Sequence, residues 1–150
     1  ANWRDSDETA KAQWSQVQFT GRLDNGNGSY GINRFFLGLL NDGECLVDDI
    51  EVVRGTGANL VSNGGFESGA TGWTFFGNHS DSTVVSAGAF AGTRALHLRA
   101  GGGLDTGPNT IRTVLGAGLA NNDTVTIRAR VRWLAGWPEL LFRLRGSFLD

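Results

Sequence analysis

The stretch from Thr124 to Leu134 most constrains the fold of this chain, because apolar and polar residues alternate strictly along it. One set of alternate positions is apolar and the other is polar or cationic, namely Val125, Ile127, Ala129, Val131 and Trp133 against Thr124, Thr126, Arg128, Arg130 and Arg132. Successive side chains of a β-strand point to opposite faces, whereas a helix would scatter these residues around its axis. The pattern therefore predicts an antiparallel strand with one buried face and one exposed face.

The rest of the chain consists largely of short apolar runs separated by glycine, asparagine and aspartate. Glycine contributes 23 of the 150 residues, about twice its usual share, but the glycines follow no three-residue period, which excludes a collagen helix. A hydrophobic share of 40% argues against a disordered chain. About nine short strands with turn residues between them are typical of an all-β antiparallel sandwich, and we predict that fold class.

Two neighbouring apolar runs have the spacing of a hairpin. Arg34 to Leu40 and Glu44 to Val53 are separated only by Asn41-Asp42-Gly43. A short loop that contains Asp-Gly between two apolar runs favours direct antiparallel pairing, so we predict a β-hairpin here.

Charge and cysteine content exclude several functions. The formal net charge is -2, which does not suit a general nucleic-acid binder, and no nucleic-acid partner is expected. Cys45 is the only cysteine, so neither an internal disulfide nor a cysteine-based zinc site can form. No apolar run reaches the ~20 residues of a membrane-spanning helix, and no membrane span is expected.

Two segments carry motifs that also occur in a known group of modules. Asn59 to Trp73 reads NLVSNGGFESGATGW, with Asn-Gly-x-Phe-Glu followed by Gly-Trp, and Trp14 to Val53 ends in Val47-Asp48-Asp49-Ile50. The first segment resembles the opening strand, and the second the closing part, of carbohydrate-binding modules of families 4, 9 and 22, which have a galactose-binding-like jelly-roll fold. Similar segments occur in tandem in large bacterial surface proteins, some with lamin-tail or spore-coat-kinase-like regions. The resemblance therefore implies a secreted or cell-surface location.

The two segments stand in the reverse of the usual order. Closing strands occupy residues 1–53, a linker 54–58, and opening strands 59–150. The chain is either circularly permuted or straddles two tandem modules. Each part alone would leave open strand edges, so we expect the two parts to complete one sandwich, within one chain or by exchange between neighbouring identical chains. Exchange would produce a head-to-tail polymer.

The resemblance also implies a metal site. In the modules it concerns, the Glu of the opening motif and the first Asp of the closing strand meet at a structural calcium ion. By position these residues are Glu67 and Asp48, with Asp49 as a reserve ligand. Calcium prefers six to eight oxygen ligands. The alternative is that both carboxylates only cap turns.

A cationic strip and an exposed aromatic residue are the candidate ligand-binding features. If the strand arginines share one sheet face, they suit an acidic polysaccharide through bidentate pairing; they are Arg128, Arg130, Arg132, Arg143 and Arg145. Trp137 lies between Gly136 and Pro138 in a loop and is the best candidate for stacking on a sugar ring. The alternatives are ordinary solvent-facing arginines paired with acidic neighbours, and a tryptophan that only packs. Trp73, Trp133 and Phe142 are expected in the core.

Catalytic features are weak in this sequence. His79 lies beside Ser80 and Asp81, but triad partners are set by geometry and not by adjacency. His97 lies between leucines in a strand, as structural histidines often do. We therefore expect no enzyme. Two functions follow: a non-catalytic module that binds a polysaccharide on one sheet face, or a structural module that forms tandem arrays or filaments by strand complementation without a glycan site.

Overall fold

Nine strands make up nearly all of the regular structure in the computed structural model, which describes residues 13–23, 32–105, 107–136 and 139–144. In chain order they are β1 (Ser15–Arg22), β2 (Ile32–Leu39), β3 (Gly43–Arg54), β4 (Trp73–Phe75), β5 (Thr83–Val85), β6 (Ala95–Ala100), β7 (Ile111–Leu119), β8 (Thr124–Gly136) and β9 (Leu140–Leu144). A single 3-10 turn follows β4 at Gly77–His79. Within these ranges no helix is long and apolar enough to cross a membrane.

The strands form two sheets in which every pairing is antiparallel. The five-stranded sheet has the order β1-β8-β3-β6-β5, and the four-stranded sheet has the order β4-β7-β2-β9. Buried side chains of both sheets belong to one hydrophobic cluster, so the sheets pack face to face. The prediction of an all-β antiparallel sandwich is confirmed.

Strand β8 shows how the sequence pattern produces this layering. Its side chains Val125, Ile127 and Ala129 are buried in the core, while Arg128 and Arg130 lie half-buried on the outer face. β8 pairs with β1 on one side and with β3 on the other. Burying each of the larger aliphatic side chains contributes about 1.5–3 kcal/mol, which fixes the register that keeps the arginines outside.

Aromatic side chains join three strands of the four-stranded sheet. Phe35 in β2 is fully buried, stacks on Phe142 of β9 at 5.8 Å between ring centroids, and meets Trp73 of β4 edge-on at 6.3 Å. Such pairs add about 0.5–1.5 kcal/mol each beyond area burial. The core positions expected for Trp73 and Phe142 are confirmed, and Trp133 packs against the core while partly exposed.

Strands from the two sequence segments pair directly with each other. From residues 1–53, β1 pairs with β8, β2 lies between β7 and β9, and β3 lies between β8 and β6. Both sheets therefore contain strands of both segments in this chain. Between the segments, Gly55 and Gly57 form a turn, in which the Gly57 N–H donates to the Arg54 carbonyl at 3.0 Å.

The hairpin predicted for Arg34 to Val53 is wrong. β2 lies in the four-stranded sheet and β3 in the five-stranded sheet, so the turn at Asn41 to Gly43 carries the chain across the core. Both apolar runs bury their side chains between the sheets. The two runs contribute buried side chains to the same core from opposite sheets, and this burial favours the crossing.

The opening strand that the resemblance places after Asn59 is not formed. Asn59 makes only an isolated bridge to Val53, and residues 60–72 are turns and irregular structure. The Asn59 side chain bonds to backbone groups that a neighbouring strand would otherwise pair. Its Oδ1 accepts the N–H groups of Val52 and Val61 at 3.0 Å, and its Nδ2 donates to the Ile50 carbonyl at 3.1 Å. A side-chain amide thus replaces strand pairing at this edge.

Candidate functional site

The outer face of the five-stranded sheet carries part of the predicted arginine strip. Arg128, Arg130 and Arg132 alternate with buried residues of β8 and so share this face. Arg128 lies in register between Gln18 of β1 and Glu51 of β3. Its Nε donates to Gln18 at 2.8 Å and its Nη1 pairs with Glu51 at 3.2 Å. The charge of Arg128 is therefore compensated within the fold.

An aromatic pair lies beside these arginines. The Arg130 guanidinium lies 4.4 Å from the centroid of the Phe90 ring, within cation–π range. Phe90 belongs to the loop between β5 and β6, and its side chain is 41% exposed. The half-buried Trp14 ring meets it at 5.8 Å and 58° between planes. This face thus presents an apolar ring surface, held in place by a guanidinium.

A cavity of about 320 Å³ opens between Phe90 and the charged strand residues. Gln16, Asp49, Glu51 and Arg128 contribute polar groups to its lining. Asp49 reaches it because β3 shifts register between Asp48 and Glu51, with Asp49 at φ 48°. Such a bulge redirects one side chain out of the strand alternation. The cavity is therefore lined by both positive and negative side chains, which can donate and accept hydrogen bonds.

Asp48 holds the loop that carries Phe90. Its side chain is fully buried, and Oδ2 accepts the backbone N–H groups of Phe90 and Ala91, both at 3.1 Å. Oδ1 accepts the N–H of Asp49 at 2.8 Å. Burial raises the pKa of Asp48 above its usual value, and the bonds from Ala91, Asp49 and Phe90 oppose that rise.

Glu67 holds the next part of the same loop. Its Oε1 accepts the Thr93 N–H at 2.8 Å and the Thr93 hydroxyl at 3.2 Å, and its Oε2 accepts the Arg94 N–H at 2.8 Å. These amide bonds lower the pKa of the exposed Glu67 carboxyl. Gly92, at φ 63°, leaves room for the carboxylate, because a Cβ there would lie 2.4 Å from Oε1. We call Asp48 and Glu67 together the loop clamp.

The loop clamp bears on the predicted calcium site. Each carboxylate of the clamp accepts three hydrogen bonds, out of about four lone-pair sites. Calcium needs oxygens with free lone pairs that converge on one point. In the part of the chain that the structure describes, no group of three or more His, Cys, Asp or Glu side chains is placed to hold a metal. The donor set fits calcium poorly, because an ion would have to displace loop amides; calcium binding stays a prediction.

The other predicted ligand-binding residues lie elsewhere. Arg143 lies on β9 in the four-stranded sheet, opposite Phe36. It is therefore not on the face that carries Arg128. Trp137 and Arg145 lie outside the described residues. Of the five predicted arginines, the structure brings together Arg128, Arg130 and Arg132.

Sequence reasoning missed Phe90, Trp14 and Asp49 as members of this site, apart from naming Asp49 as a reserve calcium ligand. Phe90 stands alone among alanine, glycine and serine in residues 86–92. An aromatic residue in a loop of small residues has no apolar neighbours along the chain, and that signal could have identified it. The position of Trp14 beside it depends on the pairing of β1 with β8.

Both histidines make contacts within the fold. His79 is fully buried, its Nε2 accepts the Leu39 N–H at 3.0 Å, and its Nδ1 lies in hydrogen-bond contact with the Asn78 side chain. Burial lowers the pKa of His79 to about 4, so the ring is neutral at pH 7. His97 lies 3.1 Å from Glu44. Both ring nitrogens of His79 are thus occupied by structural contacts.

Comparison with known proteins found no match to a family model, to a curated protein or to a solved structure.

Proposed function

We propose that this chain is a non-catalytic carbohydrate-binding module whose ligand, a polysaccharide, lies across the outer face of the five-stranded sheet. The observation that carries the proposal is the Phe90 ring, held above the sheet by Arg130 and the loop clamp, beside a cavity of about 320 Å³. The motifs at Asn59 to Trp73 and at Val47 to Ile50 support the same class. On that resemblance we also propose a secreted or cell-surface location.

Sugar rings combine an apolar C–H face with hydroxyl groups around the edge, and the site offers partners for both. The exposed part of Phe90, with Trp14 beside it, supplies ring surface. Asp49 and Glu51 accept hydrogen bonds, and Arg130 and Gln16 donate them. The lining of the cavity is mainly polar, which suits the hydroxyl groups at the edge of a sugar ring.

The pairing of Arg128 with Glu51 bears on the charge of the ligand, because it already neutralises one of the predicted arginines. Arg130 contacts Phe90 and lines the same cavity as Asp49. Positive and negative groups there are balanced, which favours a ligand recognised through hydroxyls. An acidic polysaccharide would place its carboxylates at Arg130.

Binding to a glycan panel tests the proposal, with neutral and uronate-containing polymers as separate arms. We expect Phe90→Ala to weaken binding of the best ligand by about tenfold or more, the loss typical of one buried aromatic contact. For a neutral polymer, Phe76→Ala is the matched control, because Phe76 also lies under an arginine, Arg112, at 3.9 Å, but on the opposite side of the sandwich. Equal affinity of Phe90→Ala and the unmodified chain, or an equal loss in Phe76→Ala, would refute this site.

The second candidate function is assembly. Because β1, β2 and β3 all pair with strands of the other segment, the same pairings would also form if neighbouring chains exchanged these strands. That arrangement supports a structural module in a tandem array or filament. Light scattering during size-exclusion chromatography, at rising concentration, tests it: exchange predicts growing oligomers, and a constant monomer mass would reject it.

A further inference from the structure

The outer face of the four-stranded sheet holds a second cavity, of about 280 Å³, that contains two arginines and no acidic residue. Its lining is Arg34, Gly72, Thr74, Arg112, Thr113 and Val114. It lies on the opposite side of the sandwich from the proposed glycan site and depends on none of its residues.

The strand register brings the two arginines together. Arg34 of β2 pairs with Val114 of β7, and Phe36 of β2 pairs with Arg112 of β7. Arg34 and Arg112 are therefore diagonal neighbours on one face, about 7–8 Å apart at the backbone. Guanidinium groups on such long side chains can reach one shared ligand from this spacing.

Arg128 forms an ion pair with Glu51, whereas the cavity that holds Arg34 and Arg112 has no acidic residue in its lining. The Arg34 backbone pairs with Val114, but within the described ranges the Arg34 side chain forms neither a hydrogen bond nor an ion pair. Arg112 contacts the Phe76 ring at 3.9 Å, which orients the guanidinium without neutralising it. Two like charges at one cavity repel each other unless an anion lies between them. The Thr74 hydroxyl in the lining adds a further donor.

We propose that this cavity, which we call the arginine pocket, binds an oxyanion group: a carboxylate, a sulfate or a phosphate. Arg34 and Arg112 donate paired N–H groups to its oxygens, since the planar guanidinium matches these groups in bidentate geometry. Val114, which is 60% exposed, offers apolar surface at the rim to the part of the ligand that bears the anion.

The test is a titration of the whole chain followed by amide and arginine side-chain NMR signals, at constant ionic strength set with sodium chloride. Sodium sulfate, sodium phosphate and sodium glucuronate are three separate arms. We expect saturable shifts at Thr74, Arg112 and Val114 with at least one anion. The arm that binds most tightly identifies the group as sulfate, phosphate or a sugar carboxylate.

Variants separate the arginine pocket from general attraction of anions. Arg34→Gln and Arg112→Gln should each weaken anion binding about tenfold. Arg34→Lys keeps the charge but loses the paired N–H donors of the guanidinium, so its anion affinity should lie between those of the Gln variants and the unmodified chain. Arg22→Gln is the matched control: it removes an exposed arginine of β1 that bonds Asn122 at 2.8 Å. The proposal is overturned if no anion gives saturable shifts at the pocket, or if Arg22→Gln weakens binding as much as the two pocket variants.

Discussion

Replacing Asp48 by alanine tests whether the loop clamp positions the proposed glycan site. The side chain of Asp48 accepts N–H bonds from Asp49, Phe90 and Ala91 at 2.8–3.1 Å. Alanine leaves all three donors without that acceptor. The first consequence is local, because two of the three donors belong to the loop that carries Phe90.

The magnitude follows from opposing contributions. Each hydrogen bond to the carboxylate stabilises the fold by about 1 kcal/mol net. Against this stands the cost of keeping a carboxylate away from water, which is also the cause of the raised pKa of Asp48. We therefore expect Asp48→Ala to lower the free energy of unfolding by about 2 kcal/mol. Asp48→Asn, which keeps one acceptor oxygen, should lose less.

Two measurements check this prediction. Urea unfolding gives the loss of global stability, and hydrogen exchange at the Phe90 and Ala91 amides reports the loop directly. Both amides should exchange faster in Asp48→Ala than in the unmodified chain. Glycan affinity should also fall, in the same direction as the loss expected for Phe90→Ala. Unchanged protection of these amides, with global stability within about 0.5 kcal/mol of the unmodified chain, would show that Asp48 does not hold the loop.

Three further predictions concern the core and the metal. The pKa of His79 is about 4 in the fold against 6.5 when unfolded. Its contribution to the free energy of unfolding is therefore fully present above about pH 6.5 and is lost as the pH falls towards 4, by about 3 kcal/mol in total. Urea unfolding between pH 7 and 4 should show this loss of stability, and the same loss in His79→Gln would contradict the assignment. Gly64→Ala should destabilise the fold by more than about 3 kcal/mol, because the new Cβ would lie 2.0 Å from the Ile50 carbonyl oxygen; a melting temperature near that of the unmodified chain would refute this. Calcium bound at Asp48 and Glu67 would raise the melting temperature above that measured in a chelator. Because each carboxylate of the loop clamp already accepts three hydrogen bonds, we expect equal melting temperatures with and without calcium, and a rise that Glu67→Gln abolishes would establish the ion.

The alternation of the sequence predicted the strands well because burial on one face is a local property. β8 spans the predicted Thr124 to Leu134 and continues to Gly136. Which sheet a strand joins is not local. The apolar runs of β2 and β3 have no strict alternation that distinguishes a hairpin from a crossing between sheets, and the packing of Phe35 against Trp73 and Phe142 is among the contacts that hold β2 in the four-stranded sheet.

The candidate site was predictable only where it follows strand parity. Arg128 and Arg130 were placed correctly on one face because both alternate with buried residues of the same strand. Phe90 depends instead on acceptors far away in sequence, since its amide is held by Asp48. No pattern within residues 86–94 specifies where that loop crosses the sheet.

The arginine strip illustrates how parity and sheet assignment act separately. Arg143 has the outward parity that the sequence indicated, yet it lies on the opposite side of the sandwich from Arg128. On the five-stranded side Glu51 and Gln18 already contact Arg128, whereas Arg34 and Arg112 share a cavity without a carboxylate. Preference for anions should therefore reside on the four-stranded side, although the sequence placed it with Arg128. The two sites can be separated experimentally: Phe90→Ala should leave the oxyanion titration unchanged, and Arg34→Gln should leave binding of a neutral glycan unchanged.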